Sequence, residues 1–486
     1  MYANAHTLVL DIGKSNAKLV LFTADGEVMV RRVQGNASEA AQGYTALGTR
    51  GLHNWLLQAM PTLPERRFIG RICVTTHGAA FCALGKQGLV LPPIDYEWDG
   101  YGIWRTRYAA LIDAFDITGA PVLNQGLNAG LQLYWLQQNR PEAWAQIQHW
   151  VPYPQYWAWW LCGEVASEAT SLGCHTHLWR PTHHTFAPWA MRQGLVQRFA
   201  PLRLAHEVLG KVRPELARSL GLSDQCRVHV GLHDSNACLA RHLRAQPGAS
   251  VISTGTWTVV MSPSVNAQHM RLDPARDQLL NLSVLGRPVP TARFMGGREF
   301  AHLCHGADPA LATVPLLLEV LSAGWTVLPV DPVQSGQAHG RVAQVCLGDT
   351  CFGNEPERVP LHWRPALAAW YCALVTAQMV QALTPAQSPL VQPLIVEGPM
   401  ALNTAYVTAL AAILSPRLLS RSLDEVEGTA RGAWLTAHWT QPTASMRYAP
   451  VEVPDDAVIA SIQAAWTQWC KRVAPTAKKE RHQPHW

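Results

Sequence analysis

The sequence predicts an α/β protein built from two related domains, and three observations lead there. At 486 residues the chain is too long for a single hydrophobic core and suits two or three domains. Strand-like and helix-like segments alternate, the pattern of a layered α/β domain. The opening motif also returns in outline near the middle. Residues 7–22, TLVLDIGKSNAKLVLF, read as strand, small polar glycine turn and strand, and residues 250–261, SVISTGTWTVVM, read the same way. Two halves that begin alike imply a duplicated fold with two facing domains.

The first hairpin contains Gly13-Lys14-Ser15, the last three letters of a phosphate-binding P-loop. A P-loop needs a glycine five positions earlier so that its backbone can wrap the phosphates, and Leu8 stands there. It must also run into a helix, whereas residues 17–22 alternate and are rich in branched side chains, so they read as a second strand. A third strand, 27–32, follows the turn Ala24-Asp25-Gly26. Then come a helix over 51–60, a strand over 68–75, a helix over 128–139 and a short strand over 149–152. Residues 241–248, RHLRAQPG, interrupt the pattern before the motif recurs. The second half closes with helix-like 426–439 and a last helix near 455–473.

Composition narrows the functional classes. Hydrophobic residues make up 48% and charged residues 15%, as in a well-buried globular protein. The net charge is +5, but residues 471–486 hold five Lys/Arg and one Glu, so the body is near neutral and gives little support to a nucleic-acid or membrane-surface role. Residues 367–383, LAAWYCALVTAQMVQAL, are the most membrane-like run. They carry two Gln and a Thr and read as a buried helix. The N-terminus shows no export-signal design. Eleven scattered cysteines without CxxC pairs fit reduced thiols in a cytosol.

Consecutive backbone N–H groups in a tight glycine turn can hold an anion without a lysine, and two facing hairpins would grip a polyphosphate from both sides. Asp11-Ile12-Gly13 and Thr254-Gly255-Thr256 are the candidates. A third feature is Gly231-Leu232-His233-Asp234-Ser235-Asn236-Ala237, where an acid stands between a strand (227–230) and a helix (236–242). A carboxylate there can act on a ligand at the strand end or simply cap the helix, and position alone leaves both open.

These stretches carry a family resemblance. DIGKSNAK (11–18), TTHGAA (75–80), PIDYEWDG (93–100), LCGEVASEATSLG (161–173), GLHDSNA (231–237), STGTW (253–257) and VEGPMALN (396–403) are similar, in order and spacing, to the FGGY carbohydrate kinase family. The similarity runs from about residue 7 to about residue 440, and GLHDSNA with STGTW looks closest to the fuculokinase and rhamnulokinase side. The resemblance implies two ribonuclease-H-like domains of the actin and hexokinase type facing each other across a cleft. Residues 1–243 would carry the sugar side and the first phosphate hairpin, residues 249–442 the nucleotide side, and residues 443–486 a helix and a basic tail expected to be disordered beyond Pro475. It further implies that Asp234 is the base that takes the proton of the attacking sugar hydroxyl, and that Asp11 holds hydrated Mg²⁺. The turns at Gly13, Lys14 and Ser15 and at Gly255 and Thr256 would hold phosphates, Gly398 and Asn403 the adenosine, and His77, Gly78, Trp98 and Asp99 the sugar. Phosphoryl transfer asks little more of a protein than in-line positioning, charge neutralisation and one base.

The implied activity is ATP- and Mg²⁺-dependent phosphorylation of a small ketose or deoxyketose, such as L-fuculose or L-rhamnulose, on a terminal hydroxyl. A cytoplasmic location is expected, with no nucleic-acid or membrane partner and a homodimer left open. Pentulose and polyol kinases stay open within the class. A non-sugar ATP hydrolase or actin-like switch, or a silent sugar sensor, is disfavoured because Asp11, Asp234 and the sugar-loop residues are all present. The chain departs from the family pattern at Lys14, where a small residue is common; its ammonium would either meet γ-phosphate charge or be a solvated turn residue. It departs again at Glu397-Gly398-Pro399, where Pro399 removes a backbone donor. The cluster Cys174, His175, His177, His183 and His184 lacks paired zinc-ligand spacings. Trp157, Trp159 and Trp160 read as core, and Gly296-Gly297 in FMGGREF has no assigned role.

Overall fold

A computed structural model of the chain describes residues 5–263, 267, 270–329, 343–384, 392–423, 427–441, 446–452 and 455–473. The tail expected to be disordered lies outside the described residues. Two compact units divide the chain. The first takes residues 1–251, 261–292 and 423–447, and the second takes 252–260, 293–422 and 448–486.

The first unit is organised by β1 (His6–Ile12), β2 (Asn16–Phe22), β3 (Val28–Gly35), β4 (Ile69–Thr76), β5 (Val208–Lys211) and β6 (Arg227–His229), in the order β5-β6-β4-β1-β2-β3, with β7 (Leu232–His233) continuing beside β4. β1 and β2 form the expected antiparallel hairpin, Asp11 opposite Lys18, and β4 runs parallel to β1, β6 and β7. A strand covered on both faces reads as a continuous apolar run, and β1 shows why. Leu8, Leu10 and Ile12 enter one core with α1 (Thr49–Ala59) and α3 (Tyr153–Cys162), while Val9 enters a second core on the opposite face. Between α1 and α3 lies α2 (Ala129–Asn139), with Asn128 at its N-cap. Trp157 is fully buried in the first core, with Trp159 and Trp160 packed partly against it. The last element of this half is α4 (Asp234–Ala245).

The second unit contains β8 (Ser250–Thr254), β9 (Thr258–Met261), α5 (Gly296–Cys304), the hairpin strands β10 (Trp325–Leu328), β11 (Gln344–Leu347) and β12 (Thr350–Cys351), then α6 (Arg364–Ala382), β13 (Leu394–Glu397), α7 (Thr404–Leu414) and β14 (Leu419–Ser422). The chain then returns to the first unit in α8 (Gly428–Ala437) before ending in β15 (Tyr448–Pro450) and α9 (Asp456–Val473) of the second. The second unit's strands are ordered β9-β8-β13-β14-β15. α6 is the helix expected over 367–383, buried along nearly its whole length, and no helix among the described residues is long and apolar enough to cross a membrane. Small residues let α8 lie close on α4: Ala237, Ala240, Ala430 and Ala433 share one core with Val9, and a Cβ on Gly432 would collide with the carbonyl oxygen of Ala237.

One expectation is corrected. The cysteines are not all thiols, because Cys346 and Cys351 form a disulfide. The absence of CxxC hid it. These two residues stand directly opposite each other on β11 and β12, and close cross-strand pairing brings the sulfurs together across a turn.

Candidate active site

In the first unit, parallel strands deliver the expected residues to the same end of the sheet. Asp11 lies opposite Thr75 and His233 lies opposite Thr76, so the strand ends place Asp11, His77 and Asp234 side by side. The His77 N–H donates to the Ile12 carbonyl at 2.9 Å, tying the loop after β4 to the first hairpin. Asp234 is the first residue of α4, and its hydrogen bonds fall on Oδ1, which accepts from the Ser235 N–H at 2.6 Å and the Ser235 hydroxyl at 3.3 Å.

Asp11 is 7% exposed. Burial pushes its carboxyl up to about 7; Lys18 works against this, while the charges of Asp234 and Glu427 add to it. Lys18 Nζ lies 3.9 Å from Asp11 but 3.0 Å from Glu427, which also meets Arg31 at 3.0 Å. Lys18 thus sits nearer Glu427 than Asp11, and the Asp234 charge adds to the negative field on Asp11. A buried carboxylate short of positive charge suits a hard divalent cation that keeps most of its waters, so the residues present fit Mg²⁺.

His77 Nδ1 faces the Gly78 carbonyl at 2.8 Å. A carbonyl only accepts, so Nδ1 carries the proton. Burial holds the ring below its ordinary pKa, hence neutral, and leaves Nε2 as an acceptor. That nitrogen is buried without a hydrogen-bond partner, in a ring set between Tyr96 and Tyr153 at centroid distances of 5.4 and 5.2 Å. An unpartnered buried acceptor is costly, so this nitrogen is free to take a hydrogen bond from a donor placed beside it.

Lys14 has partners already. Its ammonium donates to buried Asp95, reaches Ser38 Oγ at 3.2 Å and Glu97 at 3.3 Å, and lies 5.4 Å from the Tyr96 ring centroid. Burial pushes the Asp95 carboxyl up, but hydrogen bonds from Lys14, Ser38 and the Glu97 amide, with the Lys14 charge, bring it below the usual range. Lys14→Met is therefore expected to destabilise the fold by about 3 kcal/mol, the cost of leaving one ion of a buried pair behind. Because the folded Asp95 pKa is depressed, its stabilisation is present above the unfolded value and lost as pH falls. Melting temperatures of wild type and variant should converge in acid, and equal melting at neutral pH would contradict this.

Trp98 and Asp99 follow in the same segment, the Trp98 N–H donating to the Asp95 carbonyl at 3.0 Å. Trp98 packs edge-on against Tyr101 and Trp135, at 4.6 and 4.9 Å between centroids, and Asp99 is exposed and paired with Arg105. Ser15 is exposed on the hairpin. The histidines near Cys174 have separate partners: His175 Nδ1 meets the Leu127 carbonyl and His177 Nδ1 the Tyr108 hydroxyl.

In the second unit a cavity of about 730 Å³ is lined by Gly255, Thr256, Gly297, Arg298, Pro399 and Asn403 among others. Its walls depend on glycine. Gly398 has φ +81°, and a Cβ there would overlap the Thr254 carbonyl oxygen, while one on Gly297 would overlap that of Gly255. Pro399 opens a 3₁₀ turn, where its missing N–H costs nothing, and Asn403 caps α7 by accepting from the Tyr406 N–H at 3.0 Å. The volume is that of a small-ligand site.

Comparison with known proteins places both halves. Residues 113–240 match the N-terminal domain of the FGGY family of carbohydrate kinases, and residues 246–445 match the carbohydrate kinase FGGY C-terminal domain. A solved carbohydrate kinase from Novosphingobium aromaticivorans is 32% identical, covering 97% of this chain and 99% of that one with a TM-score of 0.86. The chain belongs to the FGGY carbohydrate kinase family. A xylulose kinase from Lactobacillus acidophilus shares this FGGY fold at 14% identity, with a TM-score of 0.75 over 96% of this chain and 97% of that one. An L-fuculokinase from Salmonella typhi is 26% identical over 275 residues, 52% of the FGGY chain. The match spans 56% of that relative's length.

Four residues of this FGGY chain escaped the reading of the sequence. Asp95 lies in PIDYEWDG, but nothing local distinguishes it from Asp99. Lys18 closes DIGKSNAK, yet its partner Glu427 is 409 residues away. Gly297 was visible only as half of an unassigned Gly-Gly pair.

Proposed function

We propose that the protein transfers the γ-phosphoryl group of MgATP to a hydroxyl of a small sugar, with Asp234 as the general base. The observation that carries the reading is the convergence of Asp234, Asp11 and the acceptor Nε2 of His77 at one end of the first unit's parallel strands. His77 would take a hydrogen bond from a sugar hydroxyl, and the Tyr96 and Tyr153 rings would shape the pocket beside it. Asp234 would accept the proton of the attacking hydroxyl. Asp11 would hold the magnesium of MgATP through water, and the metal would neutralise phosphate charge. The Gly13 and Gly255 amides close their own turns, to the Asn16 and Trp257 carbonyls, so the amides of Lys14, Ser15 and Thr256 are those left to face phosphate. Adenosine would occupy the second unit's cavity between Gly297 and the segment Gly398 to Asn403.

For the substrate we favour a ketose or deoxyketose, because the curated relatives include L-fuculokinases. ADP release across a panel of ketoses, aldoses and polyols, with a sugar-free control, tests the whole reading. Sugar-dependent release led by a six-carbon deoxyketose is expected. Release that ignores sugar would replace the kinase by a hydrolase, and preference for a pentulose or polyol would move the substrate but keep the chemistry.

A further inference from the structure

Behind Asp234 lies a buried pair that the proposed reaction does not use. His233 is 6% exposed and Cys174 3%. His233 Nδ1 is 2.7 Å from Asn236 Oδ1, and its Nε2 is 3.4 Å from Cys174 Sγ and 3.2 Å from Asp234 Oδ1. The amide of Asn236 cannot be turned round, because its Nδ2 donates to the Leu282 carbonyl. Its oxygen therefore faces Nδ1, and Nδ1 carries a proton. Nε2 is left facing a carboxylate oxygen and a sulfur. A neutral ring would set its lone pair against the carboxylate, whereas an imidazolium donates to both.

The surroundings hold this arrangement in place. The His233 N–H donates to Thr170 Oγ1 at 3.1 Å, and that hydroxyl in turn donates to buried Glu168 at 2.5 Å. Gly78 closes the other side, where a Cβ would come within 2.7 Å of Cys174 Sγ and 2.8 Å of His233 Nε2. The charged or titratable groups facing Cys174 are His175 and His233; those facing His233 are Cys174, Asp234, Glu168 and His77; those facing Asp234 are His233, His77, Tyr96 and Asp11.

We propose that Cys174 and His233 form a buried thiolate–imidazolium pair that positions the Asp234 carboxylate, the imidazolium Nε2–H binding Oδ1 and so turning Oδ2 to the attacking hydroxyl. Burial opposes both charges, yet the negative charges of Cys174 and Asp234 hold His233 well above its ordinary pKa, and the His175 and His233 rings beside it hold Cys174 well below that of a free thiol. Cys174 keeps the ring protonated above neutral pH. His233 and Cys174 are positioning residues, and their role rests on the reading of Asp234 as base.

Cys174→Ser removes the thiolate and keeps the size. The ring of His233 should then lose its proton near neutrality, as an ordinary histidine does. Wild-type turnover is expected to stay level between about pH 6 and about pH 8. The variant should match it at the acid end and fall about tenfold or more at the alkaline end, the cost of a loosened reacting group, with KM for ATP unchanged. The near-neutral ultraviolet absorbance of one thiolate should also be present in wild type and missing from Cys174→Ser. If that variant does not fold, the same absorbance is compared with His233→Asn, where Cys174 should revert to a thiol. Equal thiolate absorbance in wild type and variant, or parallel pH profiles, overturns the pair. An Asp234→Asn enzyme that retains activity would overturn the base instead, and the absorbance would still report on the pair.

Discussion

Asp234→Asn is expected to lower kcat by about 10² to 10⁴, the usual cost of losing a general base, which is roughly 3 to 5 kcal/mol of barrier. The substitution keeps the size of the side chain and one acceptor oxygen, so the hydrogen bonds that Oδ1 accepts from the Ser235 N–H and hydroxyl can persist. An amide cannot take a proton at neutral pH, and so the variant isolates proton transfer from packing. The structural cost should be small. The side chain is 31% exposed, the lost charge at the start of α4 is worth about 0.3–1 kcal/mol as a helix-dipole interaction, and the His233 imidazolium loses one anionic partner but keeps Cys174 and an acceptor oxygen. Nucleotide affinity should stay within a few fold, because the groups assigned to it are the glycine turns, Asp11 and the second unit's cavity. The measurements are kcat on the best sugar of the panel, ATP affinity by calorimetry and the melting temperature. A folded variant that binds ATP and turns over at more than about a tenth of the wild-type rate would make Asp234 a helix-terminal residue and remove it from the mechanism.

The legibility of this protein divides by range. Local periodicity is enough for β1, β2 and α6, because alternation and long apolar runs report burial directly. The P-loop fails on Leu8 and on the strand that follows, and the hairpin pairing Asp11 with Lys18 agrees. The sequence does not show that residues 423–447 fold with the first unit, since α8 meets α4 through alanines and Gly432, a pattern no periodicity distinguishes from any small-residue helix. Ion pairing is hidden for the same reason. Lys14 reads as facing phosphate because its neighbours in sequence are a phosphate-type turn. Its partners Ser38, Asp95 and Glu97 come from two segments further along the chain. The disulfide escapes notice because the hairpin that closes it is visible only as strand register.

Asp11→Asn is expected to damage activity and raise stability in one stroke. The carboxyl's ordinary value of 3.8 rises to about 7 in the fold, mainly through burial, with Lys18 opposing and Asp234 and Glu427 adding to the rise. The sign follows from linkage. In strong acid Asp11 is protonated in both folded and unfolded chains and costs nothing. As pH rises from the ordinary value towards about 7, the unfolded chain releases the proton and the folded one keeps it, so stability falls. Above that range the full penalty stands, up to about 4 kcal/mol, since each tenfold change in proton affinity is worth about 1.36 kcal/mol. Asparagine has no proton to release, so in Mg²⁺-free buffer the variant should melt higher than wild type at about pH 8 and alike at about pH 4. Lys18 keeps its contact with Glu427 at 3.0 Å, so the substitution strands no cation. Catalysis should move the other way: the Mg²⁺ concentration for half-maximal rate should rise about 10- to 100-fold, the typical loss when an outer-shell ligand partner is removed. Melting curves at both pH values and a magnesium titration of turnover decide the matter. A variant with lower melting at alkaline pH and an unchanged magnesium requirement would make Asp11 a structural acid paired with Lys18, and the metal would have to be held elsewhere.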